Sequence, residues 1–370
     1  MWTKVWVAAT AVGLLAACEE GGSSSSTGTP AVRDSKEYDQ LAADLEADRE
    51  LAIDGAAQDF QATGARLTWI DAGAGNPVLR TLDDETGDEL RYELPPYWPG
   101  SPGSPTDNIN YSASSRVVAS MNTMDSLRAW DPRTGEELGE LVVPAPPYGQ
   151  KWWAYGADGG DVYVAVEEAA GMTIRRWTPG DETSRKVAVI DDLIAPNDLG
   201  EFLNFAVSGD RLIFYEGGRL WSASLSGGKA KWAQNDEYVG DVEFSEDEIV
   251  YTQGGRIFRY DVGSDSREEF TDRIAGAYTL NGTYGQIHLP TSDAELTLLG
   301  GEVVYVGSYG LFAFDPGSDE VRPVLLNARD NSTIYRTPTA VPGTGALFAK
   351  GLESTSGAVG ADGPTWRVGR

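Results

Sequence analysis

The sequence holds one cysteine, one histidine and seven lysines in 370 residues. A single cysteine forbids an intramolecular disulfide. Together with a single histidine it also leaves no Cys/His set from which a zinc site could be built. A Ser-His-Asp mechanism would have to use His288. That residue sits in Gln286-Ile287-His288-Leu289-Pro290, flanked by apolar side chains as in an ordinary inter-blade strand. With few lysines, most positive charge is arginine, and 57 acidic residues against 29 basic ones give a net charge of −28 and a pI near 4.3. Such a surface repels phosphates, so neither nucleic acid nor an anionic lipid surface is an expected partner. The acidity reads as a solvated surface rather than an acidic docking patch. No segment spells a cofactor cradle or a catalytic set, and acidic stretches such as Asp83-Asp84-Glu85 have no spacing that demands a metal. No cofactor is expected.

Long apolar runs are scarce as well. The clearest, Val5 to Ala17, is thirteen residues long, too short to cross a bilayer comfortably. It follows Lys4 and ends in Leu15-Ala16-Ala17-Cys18. A short charged start, an apolar run, small residues and a cysteine at this distance resemble the lipobox of bacterial lipoproteins. The resemblance implies that the Cys18 thiol receives diacylglycerol and becomes the mature amino terminus, attached to a membrane. Glu19 in place of Asp favours the outer membrane of a two-membraned host, and otherwise the outer leaflet of the plasma membrane. Gly21 to Pro30, GGSSSSTGTP, has the composition of a flexible tether.

The expected organisation is a signal peptide over 1–17, acylated Cys18 with its tether over 18–34, an amphipathic helix over 35–55, and one large domain over 56–370. The helix rests on Tyr38, Leu41, Leu45 and Ala52, spaced to share one face, although Asp48 interrupts the stripe. Ser35 is its expected N-cap and Gly55 its stop.

What is abundant is glycine (44) and proline (19), together with a repeat. A short apolar strand leads through a tight turn to a second that ends in an aromatic-Asp pair, and a Gly-bearing turn opens a third. Glu302-Val-Val-Tyr-Val with Leu311-Phe-Ala-Phe-Asp315-Pro-Gly is one copy, and Glu248-Ile-Val-Tyr-Thr with Ile257-Phe-Arg-Tyr-Asp261-Val-Gly another. Taking Leu79, Leu127, Ile174, Leu220, Ile257, Leu311 and Thr365 as equivalent anchors gives spacings of 48, 47, 46, 37, 54 and 54. These bracket a four-stranded propeller blade. The expected fold is all-β, a propeller of seven blades with four antiparallel strands each. The last copy ends after its third strand, so its outer strand should come from near the amino terminus, with Asp59 to Thr63 as the candidate.

Ala129-Trp-Asp-Pro-Arg-Thr-Gly135-Glu-Glu-Leu, Leu82-Asp-Asp-Glu-Thr-Gly87-Asp-Glu-Leu and Val303-Val-Tyr-Val-Gly-Ser-Tyr-Gly310 resemble the repeats of the pyrroloquinoline-quinone-like propeller superfamily over roughly residues 60 to 370. The likeness departs from that family in blade number and in the repeat's terminal tryptophan, here mostly Leu or Val. The family includes quinone-dependent dehydrogenases and the propeller lipoprotein of the outer-membrane barrel-assembly machinery. The lipobox makes the chain similar to the second kind.

In a four-stranded blade the turns after the first and third strands share one face of the disc. The connections after the second and fourth share the other. Here the first set is short and acidic or Gly-rich: Ser208-Gly-Asp210, Ser245-Glu-Asp247, Gly263-Ser-Asp265 and Gly317-Ser-Asp319. Connections after the fourth strands are long and aromatic, with Tyr97 and Trp98 running on to Tyr111, then Tyr148 and Trp152 one blade later. Aromatic loops on a rigid scaffold are the usual home of binding residues. Tyr97, Trp98, Tyr111, Tyr148 and Trp152 therefore form the candidate face for an envelope protein, peptide or glycan. Trp152 and Trp153 also open an inner strand, and packing between blades is the competing reading for them. The function expected is a non-enzymatic binding or assembly scaffold. The alternative is a secreted propeller enzyme, a glycan hydrolase or a quinone-dependent dehydrogenase.

Overall fold

The computed structural model describes residues 36–370, apart from 55–56, 72–77, 94–110, 124–125, 143–151, 169–170, 192–203, 217–218, 230, 235–238, 245–247, 262, 278–288, 292–293, 329–332, 356–357, 360–362 and 369–370. Helix α1 (Lys36–Ala47) is followed by strand β1 (Arg49–Ile53) and strand β2 (Ala57–Thr63). From β2 onward the chain lays down antiparallel four-stranded sheets in sequence order, each strand pairing with its neighbour within the sheet.

Blade 1 is β2, Arg66–Asp71, Val78–Asp83 and Glu89–Glu93, and blade 2 is Tyr111–Ala113, Val118–Thr123, Ser126–Trp130 and Glu137–Val142. Trp152–Asp158, Asp161–Glu168, Gly171–Trp177 and Arg185–Asp191 form blade 3, to whose outer strand Gly228–Lys229 adds in parallel. Blade 4 is Asn204–Ser208, Arg211–Glu216, Arg219–Ser224 and Lys231–Gln234. Blade 5 comprises Val239–Phe244, Glu248–Gln253, Arg256–Asp261 and Ser266–Glu269, followed by the short helix α2 (Thr271–Gly276). Leu296–Leu299, Glu302–Gly307, Gly310–Asp315 and Glu320–Leu326 make blade 6. Blade 7 is Thr333–Val341, Ala346–Thr355, Thr365–Val368 and, as its outer strand, β1. The protein is a β-propeller of seven four-stranded blades preceded by a short helix.

The core explains why these sheets stack in a ring. Side chains along a strand point alternately to opposite faces of its sheet. Both faces of each blade meet a neighbour, so the middle strands read as near-continuous apolar runs. Each buried cluster bridges two consecutive blades. Ile70, Leu79 and Tyr92 of blade 1 meet Tyr111, Val118 and Trp130 of blade 2, for example, and Val304 and Leu311 of blade 6 meet Leu347 and Ala349 of blade 7. The remaining seams are filled in the same way, including that between the last blade and the first, where Phe60, Leu67 and Trp69 pack on Val341 and Phe348.

The repeat signature itself is a turn device. The aspartate at or just past the end of a third strand accepts hydrogen bonds from amides of the turn ahead: Asp83 from Glu85 at 3.1 Å, Asp131 from Arg133 at 2.7 Å, Asp261 from Ser264 at 2.6 Å and Asp315 from Gly317 at 2.7 Å. Such Asx turns favour a tight reversal into the outer strand. The carboxyls of Asp131, Asp261 and Asp315 lie below the usual aspartate range, held there chiefly by the Arg133 side chain at Asp131, the Ser264 amide at Asp261 and the Ser318 hydroxyl at Asp315, with the other turn amides adding to each.

Two expectations about the amino terminus are corrected. The helix stops at Ala47 rather than continuing to residue 55, and the outer strand of the last blade is Arg49–Ile53 rather than a segment near 59–63. Arg49-Glu50-Leu51-Ala52-Ile53 can be extended because its backbone gains the free edge of Thr365–Val368, pairing Arg49 with Val368 and Ile53 with Thr365. Residues 57–63 become the innermost strand of blade 1 instead.

Helix α1 lies against the outer strand of blade 6. Tyr38 is fully buried, and its hydroxyl donates to the carbonyl of Asn327 at 2.8 Å. Leu41, Ala42 and Leu45 pack beside it.

Candidate functional site

The inner strands carry a repeated polar contact from one blade to the next. The Gln61 side chain accepts from the Ala113 amide at 2.9 Å and donates to the Tyr111 carbonyl at 2.8 Å. Ser112 accepts from the Ala157 amide at 2.9 Å, Asp241 from Leu296 at 2.8 Å and Thr297 from Ala340 at 3.1 Å. These bonds satisfy inner-strand amides that have no partner in their own sheet, because an inner strand is an edge.

A strongly perturbed carboxyl lies where the ring closes. Asp59 occupies a bulge in β2 with φ of +51°, a left-handed conformation uncommon for a residue with a Cβ. Burial pushes its carboxyl up to about 7, opposed by the charge of Lys350. Lys350, in the second strand of blade 7, is only 7 % exposed, and its ammonium donates to the Ala57 carbonyl at 3.0 Å. From the other side Tyr111 donates its hydroxyl to the carbonyls of Thr68, at 2.8 Å, and Asp59. Burial, with the charge of Asp59, raises the Tyr111 phenol well above its ordinary pKa. A carboxyl titrating near 7 is suited to proton transfer. Its described neighbours nonetheless stitch blade 7 to blade 1 and blade 1 to blade 2. The sequence signal was faint: in Ala57-Gln-Asp-Phe-Gln-Ala-Thr63 the apolar alternation breaks at Asp59, which is what a bulge does to a period of two.

Of the five aromatic residues expected on one face, Tyr111 is corrected. It is 1 % exposed, packed between blades 1 and 2, and its phenol is committed to backbone carbonyls. The backbone of Trp152 opens the inner strand of blade 3 opposite Val166. Tyr97, Trp98 and Tyr148, like Cys18 and His288, lie outside the described residues. The strands around the loop residues are described. Residues 94–110 join the outer strand of blade 1 to the inner strand of blade 2, and residues 143–151 do the same one blade on. Both therefore start and finish on one side of the disc.

On the opposite side the chain reverses through two-residue turns such as Gly64-Ala65, Gly159-Gly160 and Gly209-Asp210. Several of its carboxylates are paired. Asp83 pairs with Arg66 at 2.5 Å, Asp161 with Arg176 at 2.5 Å, and Asp84, whose side chain is 3 % exposed, with Arg367 at 2.7 Å across the closing seam. Among the described residues no three metal-ligating side chains come together.

Comparison with known proteins leaves the class of the protein at its architecture. No family model matches the chain, and no curated protein matches it. Two solved structures are similar to the chain at low identity. The computationally designed Ika8 protein is 12% identical with a TM-score of 0.47, covering 84% of this chain and 87% of its own. The WD40 β-propeller domain of Doa1 is 9% identical with a TM-score of 0.49, covering 86% of this chain and 96% of its own. Blade number and strand order come from the hydrogen-bonded ladders of this chain itself.

Proposed function

We propose that the protein is a lipid-anchored propeller of the bacterial cell envelope that acts as a non-enzymatic binding or assembly scaffold, similar in kind to the lipoproteins of the pyrroloquinoline-quinone-like superfamily. The observation that carries this reading is the asymmetry of the disc. One side is closed by short turns, two residues long at Gly64-Ala65, Gly159-Gly160 and Gly209-Asp210, and carries paired carboxylates, whereas the other receives the longer connections 94–110, 143–151, 192–203 and 278–288 between successive blades. Those connections hold Tyr97, Trp98 and Tyr148, residue types that dominate binding hot spots. The lipobox ending at Cys18 supports the membrane address, and the net charge of −28 argues for a protein, peptide or glycan partner over an anionic lipid.

The competing reading, a propeller enzyme, draws on the near-neutral carboxyl of Asp59. Recovery of the full-length protein from its native envelope separates the two. The scaffold reading expects a diacylglyceryl mass on Cys18 and a partner that co-purifies with the wild type but not with a Tyr97→Ala/Trp98→Ala variant. An unmodified Cys18, or turnover of a sugar or alcohol that Asp59→Asn abolishes with no partner recovered, would sink it.

A further inference from the structure

Helix α1 fixes where the chain enters the disc. Tyr38 is held at one end of blade 6: its hydroxyl reaches the carbonyls of Asn327, at 2.8 Å, and Tyr309, at 3.4 Å. Tyr309 lies in the turn between the second and third strands, and Asn327 directly follows the outer strand. Both mark the face that carries the long connections. Arg49, two residues past the helix, pairs with Val368, the last residue of a third strand, and so stands at the opposite face. The neighbouring Glu50 bonds Arg367, which also grips Asp84 in the turn between third and fourth strands of blade 1. The helix therefore descends the rim from the loop-bearing face to the tight-turn face, and Lys36 opens on the loop-bearing side.

We infer that this entry point orients the propeller on the membrane, turning the loop-bearing face toward the bilayer and the tight-turn face away from it. The inference rests on the lipidated reading above. Seventeen residues separate Cys18 from Lys36, which at full extension reach about 60 Å. Presenting the tight-turn face instead would force the same segment to run the depth of the disc as well, about 20 Å for a six-residue strand. That detour shortens the free reach and disfavours the inverted disc, the more so the shorter the segment. Consequently the face on which the outer strands end and the next inner strands begin is offered to molecules held at the membrane surface.

The test places one thiol-reactive fluorophore on each side of blade 6, using the full-length acylated protein in phosphatidylcholine vesicles that carry a quencher on the lipid headgroup. Ser308 and Ser318 are both exposed, one in the turn between the second and third strands and the other in the turn between the third and fourth. Cys18 is the sole native cysteine, so acylation leaves Ser308→Cys or Ser318→Cys as the unique free thiol. The Ser308→Cys label should be quenched about twofold more than the Ser318→Cys label. Deleting residues 21–28 leaves nine residues and should widen that ratio. Equal or reversed quenching in protein shown by mass to be acylated, or a ratio that the deletion leaves unchanged, overturns the orientation alone. Absence of the acyl mass overturns the anchor and the orientation together.

Discussion

The hydroxyl of Tyr111, at the start of blade 2, donates to the backbone carbonyl of Thr68 in blade 1 from 2.8 Å. The ring is buried with Ile70, Leu79 and Trp130, so this tyrosine locks two blades together rather than greeting a ligand. Tyr111→Phe should cost about 1–2 kcal/mol of stability by leaving buried carbonyls without a donor. Tyr111→Ala should cost about 3–5 kcal/mol through the cavity it opens. Urea unfolding measures both, and a wild-type midpoint for Tyr111→Ala would return the residue to the surface.

Asp59 makes stability depend on pH in a definite direction. Its carboxyl titrates near 7 in the folded protein, against an ordinary value near 3.8 for the unfolded chain. Between those values the folded state keeps a proton that the unfolded state has lost. Its contribution is therefore present in full below about pH 4, declines as pH rises, and is gone above about 7. The total is a few kcal/mol at most. Asp59→Asn should flatten that decline and raise the thermal midpoint at pH 8. A variant that unfolds earlier than wild type at pH 8 would show that the ionised carboxylate is needed beside Lys350.

Much of the architecture was legible because its determinants are local. All seven anchors fall in the third strands of the seven blades, and the aromatic-Asp signature marks the turn that follows. Turn chemistry and a two-residue period are written in neighbouring residues. The fate of Arg49–Ile53 was not legible, since a helical and an extended reading compete there. The choice is made by Thr365–Val368, more than three hundred residues away in sequence. Tyr111 was misplaced for a related reason: it closes a long loop but opens an inner strand, and only the seam with blade 1 decides its side. Asp59 was missed because a bulge is set by the sheets around it.

Ring closure should depend on the amino-terminal segment. Tyr38→Ala removes a fully buried ring from the edge of blade 6 and should cost about 3–5 kcal/mol. Deleting residues 36–53 also strips the outer strand from blade 7 and should leave Thr365–Val368 as an open edge prone to association. Size-exclusion chromatography with calorimetry reads both effects. A monomeric deletion variant with the native midpoint would show that the blade closes without β1.

Gly310 opens the third strand of blade 6 with φ of +151°, where an added Cβ would stand 2.1 Å from the Leu325 carbonyl oxygen. Gly171 occupies the same place in blade 3, with φ of +138° and 2.3 Å to the Ile190 carbonyl. Gly310→Ala should therefore destabilise by about 2 kcal/mol or more, through backbone strain and displacement of the outer strand. Denaturant unfolding of Gly310→Ala beside Gly300→Ala, whose site is open, isolates the close approach from the general effect of losing glycine in a left-handed turn. Equal losses at the two positions would contradict it.

The central claim is that the loop-bearing face binds a partner while the rest of the disc serves as its support. Quantitative mass spectrometry of proteins recovered with wild type and with Tyr97→Ala/Trp98→Ala from native envelopes, alongside thermal unfolding of each, tests it directly. At least a tenfold fall in a specific co-purifying component, with the unfolding midpoint unchanged, is the predicted result. Unchanged recovery, or recovery lost only in step with a lowered midpoint, would contradict it.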